Sequence, residues 1–337
     1  MKYNRLGKTN LRVSALCLGT MMFGDQTDAM ESARIVDHAR EQGVNFIDTA
    51  DVYSLGISEQ ITGGTIRSER DWWVLATKIG NKMSLAKDAP NQDRYSRKWM
   101  MQECDASLTR LGTDYIDIYY LHRDFAGINL EEIVRAMDDL VRCGKIRYFG
   151  LSNFSAWRTT QIVGLCKEMN VSAPVVCQPH YNLLNRVPEV ELLPACHAFG
   201  IGVVPYSPLA RGVLTGKYLP GLPPVAGSRG TTDARFVETE FREESLRIAQ
   251  SLKIRSDELG VQLGQYATAW LLGNRLVSSV IAGPRTLAQW QDYLGALDLV
   301  LGDEDETLVD ALVSAGHAST PGYTDPAFPV QGRLVDR

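Results

Sequence analysis

The chain has 337 residues, 45% hydrophobic and 22% charged, a balance ordinary for a folded protein with a large core. Its 35 Lys and Arg against 40 Asp and Glu leave a net charge of −5, which gives no pull toward phosphate backbones or anionic lipid and so excludes nucleic acid and membrane as default partners. No apolar run approaches the roughly 18 residues of a spanning helix, and Met1-Lys2-Tyr3-Asn4-Arg5 carries no apolar signal region. The cysteines form no CxxC pair and the histidines show no metal-ligand spacing, so neither a disulfide framework nor a metal site is expected. A cytoplasmic protein is the expectation.

In chain order, Gly7-Lys8-Thr9-Asn10 separates two strand-like runs, 3–6 and 11–13, and predicts a β-hairpin. Short apolar runs follow at 15–18, 45–47, 73–76, 115–121, 148–151, 175–177, 202–205 and 277–281. Helical spacing lies between them. In 29–42, Ala33, Val36, Ala39 and Arg40 share a face, and Gly43 is the stop. In 98–111, Met101, Cys104, Ala106, Leu108 and Leu111 recur; in Leu130–Arg142, Ile133, Met137, Leu140 and Val141 do so before Gly144.

Strand and helix alternation fits an open doubly wound sheet or a closed barrel. Eight runs, in a chain above the barrel norm of about 250 residues, favour an α/β (β/α)8 TIM barrel with an N-terminal β-hairpin and long loops at the C-terminal face. No linker or repeat divides the chain, so 1–337 reads as one barrel domain. Two stretches stand outside the pattern. One is 218–239, rich in Pro, Gly and Thr; the other is the tail 317–337, with Tyr323, Phe328 and Pro329, a candidate lid over the pocket.

In a barrel the strand C-termini carry the active site. Asp48, Asp51 and Tyr53 follow the second strand, Lys78 the third and His122 the fourth. Each alone is ordinary, but the four types complement one another. A phenol with a pKa near about 10 is a poor acid at neutral pH; an adjacent ammonium lowers that pKa, an aspartate keeps the ammonium charged, and a neutral imidazole hydrogen-bonds a carbonyl. Together they can protonate an oxygen that is becoming an alkoxide. The alternative is a satisfied structural network.

These residues and their contexts resemble the aldo-keto reductase superfamily, in the branch with bacterial oxidoreductases and potassium-channel β-subunit-like proteins. The likeness runs from Gly19-Thr20-Met21-Met22-Phe23-Gly24 to Gly283-Pro284-Arg285, and the contexts IDTADVY, ATKIG and YYLHRD place the family's tetrad on Asp48, Tyr53, Lys78 and His122. The resemblance implies NADPH-dependent reduction of an aldehyde or ketone by hydride transfer. Tyr53 would be the general acid, Asp48 and Lys78 would tune it, and His122 would orient the carbonyl. The same set run backwards oxidises an alcohol, as in a sugar or pyridoxine-type dehydrogenase. A nicotinamide-binding regulatory subunit like the channel β-subunits is the alternative of another class; the start of the chain almost at the hairpin, without an N-terminal extension, counts against it.

No Rossmann fingerprint accompanies this. Gly200-Ile201-Gly202-Val203-Val204-Pro205 has Pro at the third glycine position, and Gly212-Val213-Leu214-Thr215-Gly216-Lys217 is one residue short of a P-loop. Barrels bind phosphate through the loops after strands seven and eight, here 206–217 and 283–289. The first loop offers small residues, a hydroxyl and a lysine, including Ser207, Leu209, Gly212 and Lys217. By the resemblance, Gly19, Thr20, Met21 and Asp48 frame the nicotinamide end. Ser152, Asn153 and Gln178 hold its carboxamide, Tyr206 offers a ring face, and Gly283, Arg285 and Gln289 complete the far end. Arg285 suits a 2′-phosphate, so NADPH (NADP+) is expected over NADH. Tyr293 stands where the family has an adenine-contacting Asn, and either stacks on the adenine or turns into the core. The substrate pocket is expected from Met22, Phe23, Tyr53, His122, Arg123 and Phe154, with Arg123 pairing either an anionic substrate or Asp124. The expected partner is a small-molecule carbonyl or alcohol, bound by a monomer or homo-oligomer.

Overall fold

In the computed structural model, which describes residues 1–83, 91–92 and 94–330, a two-residue side-chain period sorts each barrel strand into an inward and an outward row. The hairpin is β1 (Tyr3–Arg5) against β2 (Arg12–Ser14), antiparallel. Eight parallel strands follow: β3 (Leu16–Gly19), β4 (Phe46–Asp48), β5 (Val74–Ile79), β6 (Ile116–Leu121), β7 (Ile146–Ser152), β8 (Val176–Gln178), β9 (Gly202–Val203) and β10 (Val280–Ala282). Their order, β10-β3-β4-β5-β6-β7-β8-β9, is the chain order wrapped round once. A parallel bridge from Val203 to Val277, with Ser278 N donating to Val203 O at 2.8 Å and Ile281 N to Pro205 O at 3.0 Å, joins the two edges. The sheet is the (β/α)8 barrel that the alternation predicted.

The inward row is one apolar cluster, with Cys17, Phe46, Val74, Ile118, Tyr120, Val176 and Ile281. The outward row, with Leu16, Ile47, Leu75, Tyr119, Leu121, Phe149 and Cys177, packs under the helices. The hairpin closes the N-terminal end of the barrel. Leu6 and Val13, both fully buried, complete the inward cluster. Gly7 sits at φ 56°, Lys8 N donates to Gly200 O at 2.8 Å, and a Cβ on Gly7 would lie 2.4 Å from that oxygen, so only glycine allows the approach.

The crossovers are α1 (Ala29–Glu41), α2 (Ile57–Ile66), α3 (Arg97–Leu111), α4 (Leu130–Arg142), α5 (Ala156–Glu168) and α6 (Leu192–Phe199). Side chains of Asp28, Ser96 and Asn129 cap α1, α3 and α4 by accepting from the N3 amide. α4 has the predicted bounds and face. α1 buries Ser32, Ile35, Val36 and Ala39, so its face is rotated from the predicted one and Ala33 lies at its border. α3 buries Glu103 and Ser107 among Trp99, Met100, Cys104 and Leu111, because Arg110 pairs with both Glu103 and Glu59 beneath the sheet. Apolar periodicity cannot reveal such a polar face.

The stretch 218–239 is not featureless. It contains α7 (Arg229–Thr232) and α8 (Ala234–Thr239), followed by α9 (Glu243–Glu258) and α10 (Leu263–Gly273) before β10. After β10 come α11 (Leu287–Leu294) and α12 (Asp303–Leu312). The tail is tied back where Ala318 bridges Asn185 and where Arg186 N donates to His317 O at 2.9 Å. Residues 331–337 of the expected lid lie outside the described residues. Among the described residues no helix is long and apolar enough to cross a membrane.

Because Leu6 fills the closed end of the barrel, Leu6→Ala should leave a cavity and lower stability by about 2–5 kcal/mol. Urea unfolding of the two proteins checks this; a loss below about 1 kcal/mol would show that the hairpin is not part of the core.

Candidate active site at the strand C-termini

Strand parity delivers three of the four chemically complementary side chains. Asp48 pairs across to Ala76 and Lys78 to Tyr120, while His122 N donates to Ile79 O at 2.8 Å just past the end of β6. Asp48, Lys78 and His122 therefore fall on the inward row, two residues beyond Phe46, Ala76 and Tyr120. Tyr53 comes from the turn after β4. That turn runs through Ser54 (φ 48°) and Leu55 (φ 52°), uncommon conformations for side chains with a Cβ, before Gly56 at φ 91° opens α2. Ser54 Oγ donates to Phe23 O at 3.1 Å and steadies the turn.

The Lys78 ammonium is fully buried and donates three ways: to Asp48 Oδ1, to Thr49 O at 2.7 Å and to Tyr53 OH at 3.3 Å. Asp48 Oδ2 accepts from Gln178 Nε2 at 2.9 Å. Burial pulls the Lys78 pKa down, but Asp48 and Tyr53 outweigh it and hold it above its ordinary value. Burial raises Asp48 above the usual carboxylate value, with Lys78 and Gln178 pulling it back. The Tyr53 phenol is also raised, since burial exceeds the downward pull of Lys78. That reverses the sign expected from lysine proximity alone: the site is drier than a pairwise argument assumes. His122 stands edge-on to Tyr53, ring centres 5.9 Å apart at 79°. Burial first, and then Lys78 and Arg123, hold its imidazole well below the ordinary value, so it is neutral. Its Nδ1 is buried without a hydrogen-bond partner among the described residues.

Asp48, Tyr53 and His122 open onto a cavity of about 460 Å³ along the barrel mouth, with Lys78 buried behind them. All of the expected dinucleotide positions lie on its wall: Gly19, Thr20, Met21, Asp48, Ser152, Asn153, Gln178, Tyr206, Ser207, Leu209, Gly212, Lys217, Gly283, Arg285 and Gln289. Tyr206 OH donates to Asn153 Oδ1 at 2.7 Å, and Asn153 Nδ2 donates to His122 O at 3.0 Å, so the ring at the mouth is keyed to the histidine strand. In the 206–217 loop the amides of Ala210, Gly212, Leu214 and Gly216 bond to loop carbonyls. Those four amides face inward instead of into the cavity, and positive charge there comes from side chains.

The substrate-side expectations divide. Met22, Tyr53 and His122 line the cavity, but Phe23 and Phe154 are core residues, 0% and 2% exposed, that pack under the helices. Arg123 is not on the cavity wall. It donates to Ala327 O at 2.9 Å and lies between the rings of Phe125 and Phe328, while Asp124 pairs with Arg158 at 3.2 Å. Tyr293 packs against the helix core and also lines the cavity wall.

Several cavity residues escaped the sequence reading: Gln26, Asn81, Gln262, Asp292 and, above all, Arg211 and Arg229. Arg211 was legible as a neighbour of Gly212. Arg229 lies in the Pro/Gly-rich stretch, where no period signals its direction. With Lys217 and Arg285 they make one end of the cavity cationic. Among the described residues their anionic neighbours include Asp233, 3.1 Å from Arg229 and 3.9 Å from Arg211, and Glu240, 3.9 Å from Arg211. Burial and the nearby Arg211 and Arg285 push Arg229 below its ordinary value, the mark of crowded cations. Asp51 was read only as part of the motif. It is buried with Oδ2 unpartnered among the described residues, and burial, with Glu59 and Glu103, raises it well above the usual carboxylate value.

A (β/α)8 barrel with this polar tetrad at its mouth defines a class, and comparison with known proteins agrees. Residues 15–314 match the Aldo/keto reductase family. The chain is 39% identical to a probable voltage-gated potassium channel subunit beta of Arabidopsis thaliana, over 89% of this chain and 92% of that one. It is 36% identical to a probable subunit of the same description in Oryza sativa subsp. japonica, over 96% and 100%. It is also 36% identical to an uncharacterized oxidoreductase of Bacillus subtilis, over 95% and 98%. The chain belongs to the aldo/keto reductase family, whose members generally use a nicotinamide cofactor.

The buried pair gives a direct test. Lys78→Met should strand the Asp48 carboxyl and cost about 3–5 kcal/mol, whereas the double variant Lys78→Met/Asp48→Asn should recover much of that loss. Urea unfolding of the set checks it; equal losses in single and double would mean the two groups are not coupled.

Proposed function

We propose that the chain is an NADPH-dependent oxidoreductase that reduces an aldehyde or ketone to an alcohol, acting on small molecules in the cytoplasm. The observation that carries this reading is a protonated phenol and a neutral imidazole on one wall of a cavity whose other end is lined by four cations. The residues present fit the cofactor. A flat ring has the Tyr206 face and the inward ends of β3, β4 and β8, and phosphates have Arg211, Lys217 and Arg229. Arg285, whose Nη1 bonds only the neutral Gln26 at 3.0 Å among the described residues, is left to recognise a 2′-phosphate. Bound there, the nicotinamide supplies the hydride.

Tyr53 donates its proton to the carbonyl oxygen as negative charge develops on it. Lys78 stabilises the phenolate that results, and Asp48 and Thr49 O hold Lys78 in place. His122, neutral and edge-on to Tyr53, directs the carbonyl oxygen toward the phenol. All of these groups are in position before substrate arrives, so little reorganisation accompanies the charge change. Run backwards, the same groups oxidise an alcohol. The relatives described as channel subunits favour a second reading, in which the chain regulates a partner; turnover separates the two.

Tyr53→Phe should lower kcat by about 10²–10⁴-fold while leaving NADPH affinity within about threefold. NADPH consumption against a panel of aldehydes and ketones measures it; wild type that binds NADPH tightly yet turns over nothing in either direction favours the regulatory reading. Arg285→Ala should weaken NADPH about tenfold or more and leave NADH unchanged, as binding titrations will show. Because Tyr53 is raised and His122 lowered, kcat/KM should be flat from below the ordinary histidine value of about 6.5 to the ordinary tyrosine value of about 10. A step near neutral pH would contradict those assignments.

A further inference from the structure

Tyr206 has a second partner that the reaction does not use. His180 bridges it in parallel fashion and covers one face of its ring, centres 5.2 Å apart at 19°; His180 itself is off the cavity wall, so the opposite face is the one presented there. The imidazole is held at both nitrogens. Nδ1 lies 3.3 Å from Asn185 Nδ2, and Nε2 lies 3.2 Å from Glu240 Oε1 and 3.3 Å from Asn182 Nδ2. The contact with Glu240 is one of ion-pair distance without an aligned hydrogen bond, since Oε1 has no hydrogen-bond partner among the described residues.

Glu240 is the unusual member. It ends α8, is 3% exposed, and belongs to the same segment as Arg229. A buried carboxylate is costly unless paired. Burial pushes Glu240 up, but His180, with Arg211 and Arg242, outweighs burial and keeps it ionised. The Arg211 share is loose: its Nε is 3.9 Å from Oε1, without an aligned hydrogen bond. Helices of four and six residues, as α7 and α8 are, do not persist alone. Their seat depends on such ties, with Arg235 to Asp325 of the tail as another.

We propose that His180 is a positioning residue for the flat ring that rests on Tyr206, and that Glu240 ties it to segment 229–240, so that the ring platform and the arginines of the phosphate end are set together. This rests on the dinucleotide reading above. Losing either member frees both: the platform loses its backing, and the segment that carries Arg229 loosens.

The test uses the full chain as wild type, Glu240→Gln, His180→Asn, the double variant and Glu240→Asp. Without nucleotide, hydrogen–deuterium exchange of peptides spanning 229–240 should rise in both single variants. With nicotinamide fluorescence as the readout, NADPH release should quicken about tenfold in each single variant and about tenfold, not a hundredfold, in the double, because the two act as one unit. Glu240→Asp, which keeps the charge, should restore part of the rate. Release within about twofold of wild type in the singles, or multiplicative effects in the double, would overturn the proposal. Unchanged exchange with normal NADPH binding overturns the tie and leaves the dinucleotide reading standing. Raised exchange in a protein that binds no dinucleotide upholds the tie and overturns the platform role together with that reading.

Discussion

A lysine ammonium sealed inside the barrel is the constraint to which the rest of the site answers. Lys78 is fully buried, so its three donors must find acceptors within the protein, and they find Asp48, Thr49 O and Tyr53 OH. That requirement reaches far along the chain. Asp48 must sit on the neighbouring strand at the matching height, the turn after β4 must bend through two strained residues to bring Tyr53 over, and Gln178 must come from the far side to satisfy the other carboxylate oxygen. A one-residue slip of β5 would turn Lys78 outward under the helices and break every one of these contacts.

The same burial sets the chemistry. A phenol beside a lysine is expected to ionise more easily, yet in a site this dry desolvation wins, and Tyr53 keeps its proton. His122 is kept neutral by the same force acting on the opposite charge type. Both results suit the proton donation proposed for Tyr53, with a neutral hydrogen-bonding partner beside it.

The two ends of the cavity are built differently. The tetrad end stands on strand termini whose positions follow from ladder hydrogen bonds. The cationic end, apart from Arg285 after β10, stands on segments without ladders, 206–217 and 218–240, where Ser207, Ala210 and Arg211 all have positive φ. Backbone strain at non-glycine residues persists only where surrounding contacts enforce it. Here those contacts include the stack of Tyr206 on His180 and the pairing of Glu240 behind it.

What the sequence determined by itself was everything carried by period and local pattern. Eight apolar runs and their helical spacers gave the barrel, because alternation of two and near-four reflects backbone geometry that no partner alters. The IDTADVY, ATKIG and YYLHRD contexts marked Asp48, Tyr53, Lys78 and His122 through the family resemblance; parity puts Asp48, Lys78 and His122 on one face, and the turn after β4 brings Tyr53 to them. The tertiary structure alone decided the matters that depend on burial or on distant segments. It turned Phe23 and Phe154 into core, gave Arg123 to the tail and Asp124 to Arg158, and placed Arg229 on the cavity from a stretch with no periodicity. It also reversed the sign of the Tyr53 shift. Desolvation and long-range pairing are sums over neighbours that the chain meets only once folded, and no local pattern encodes them.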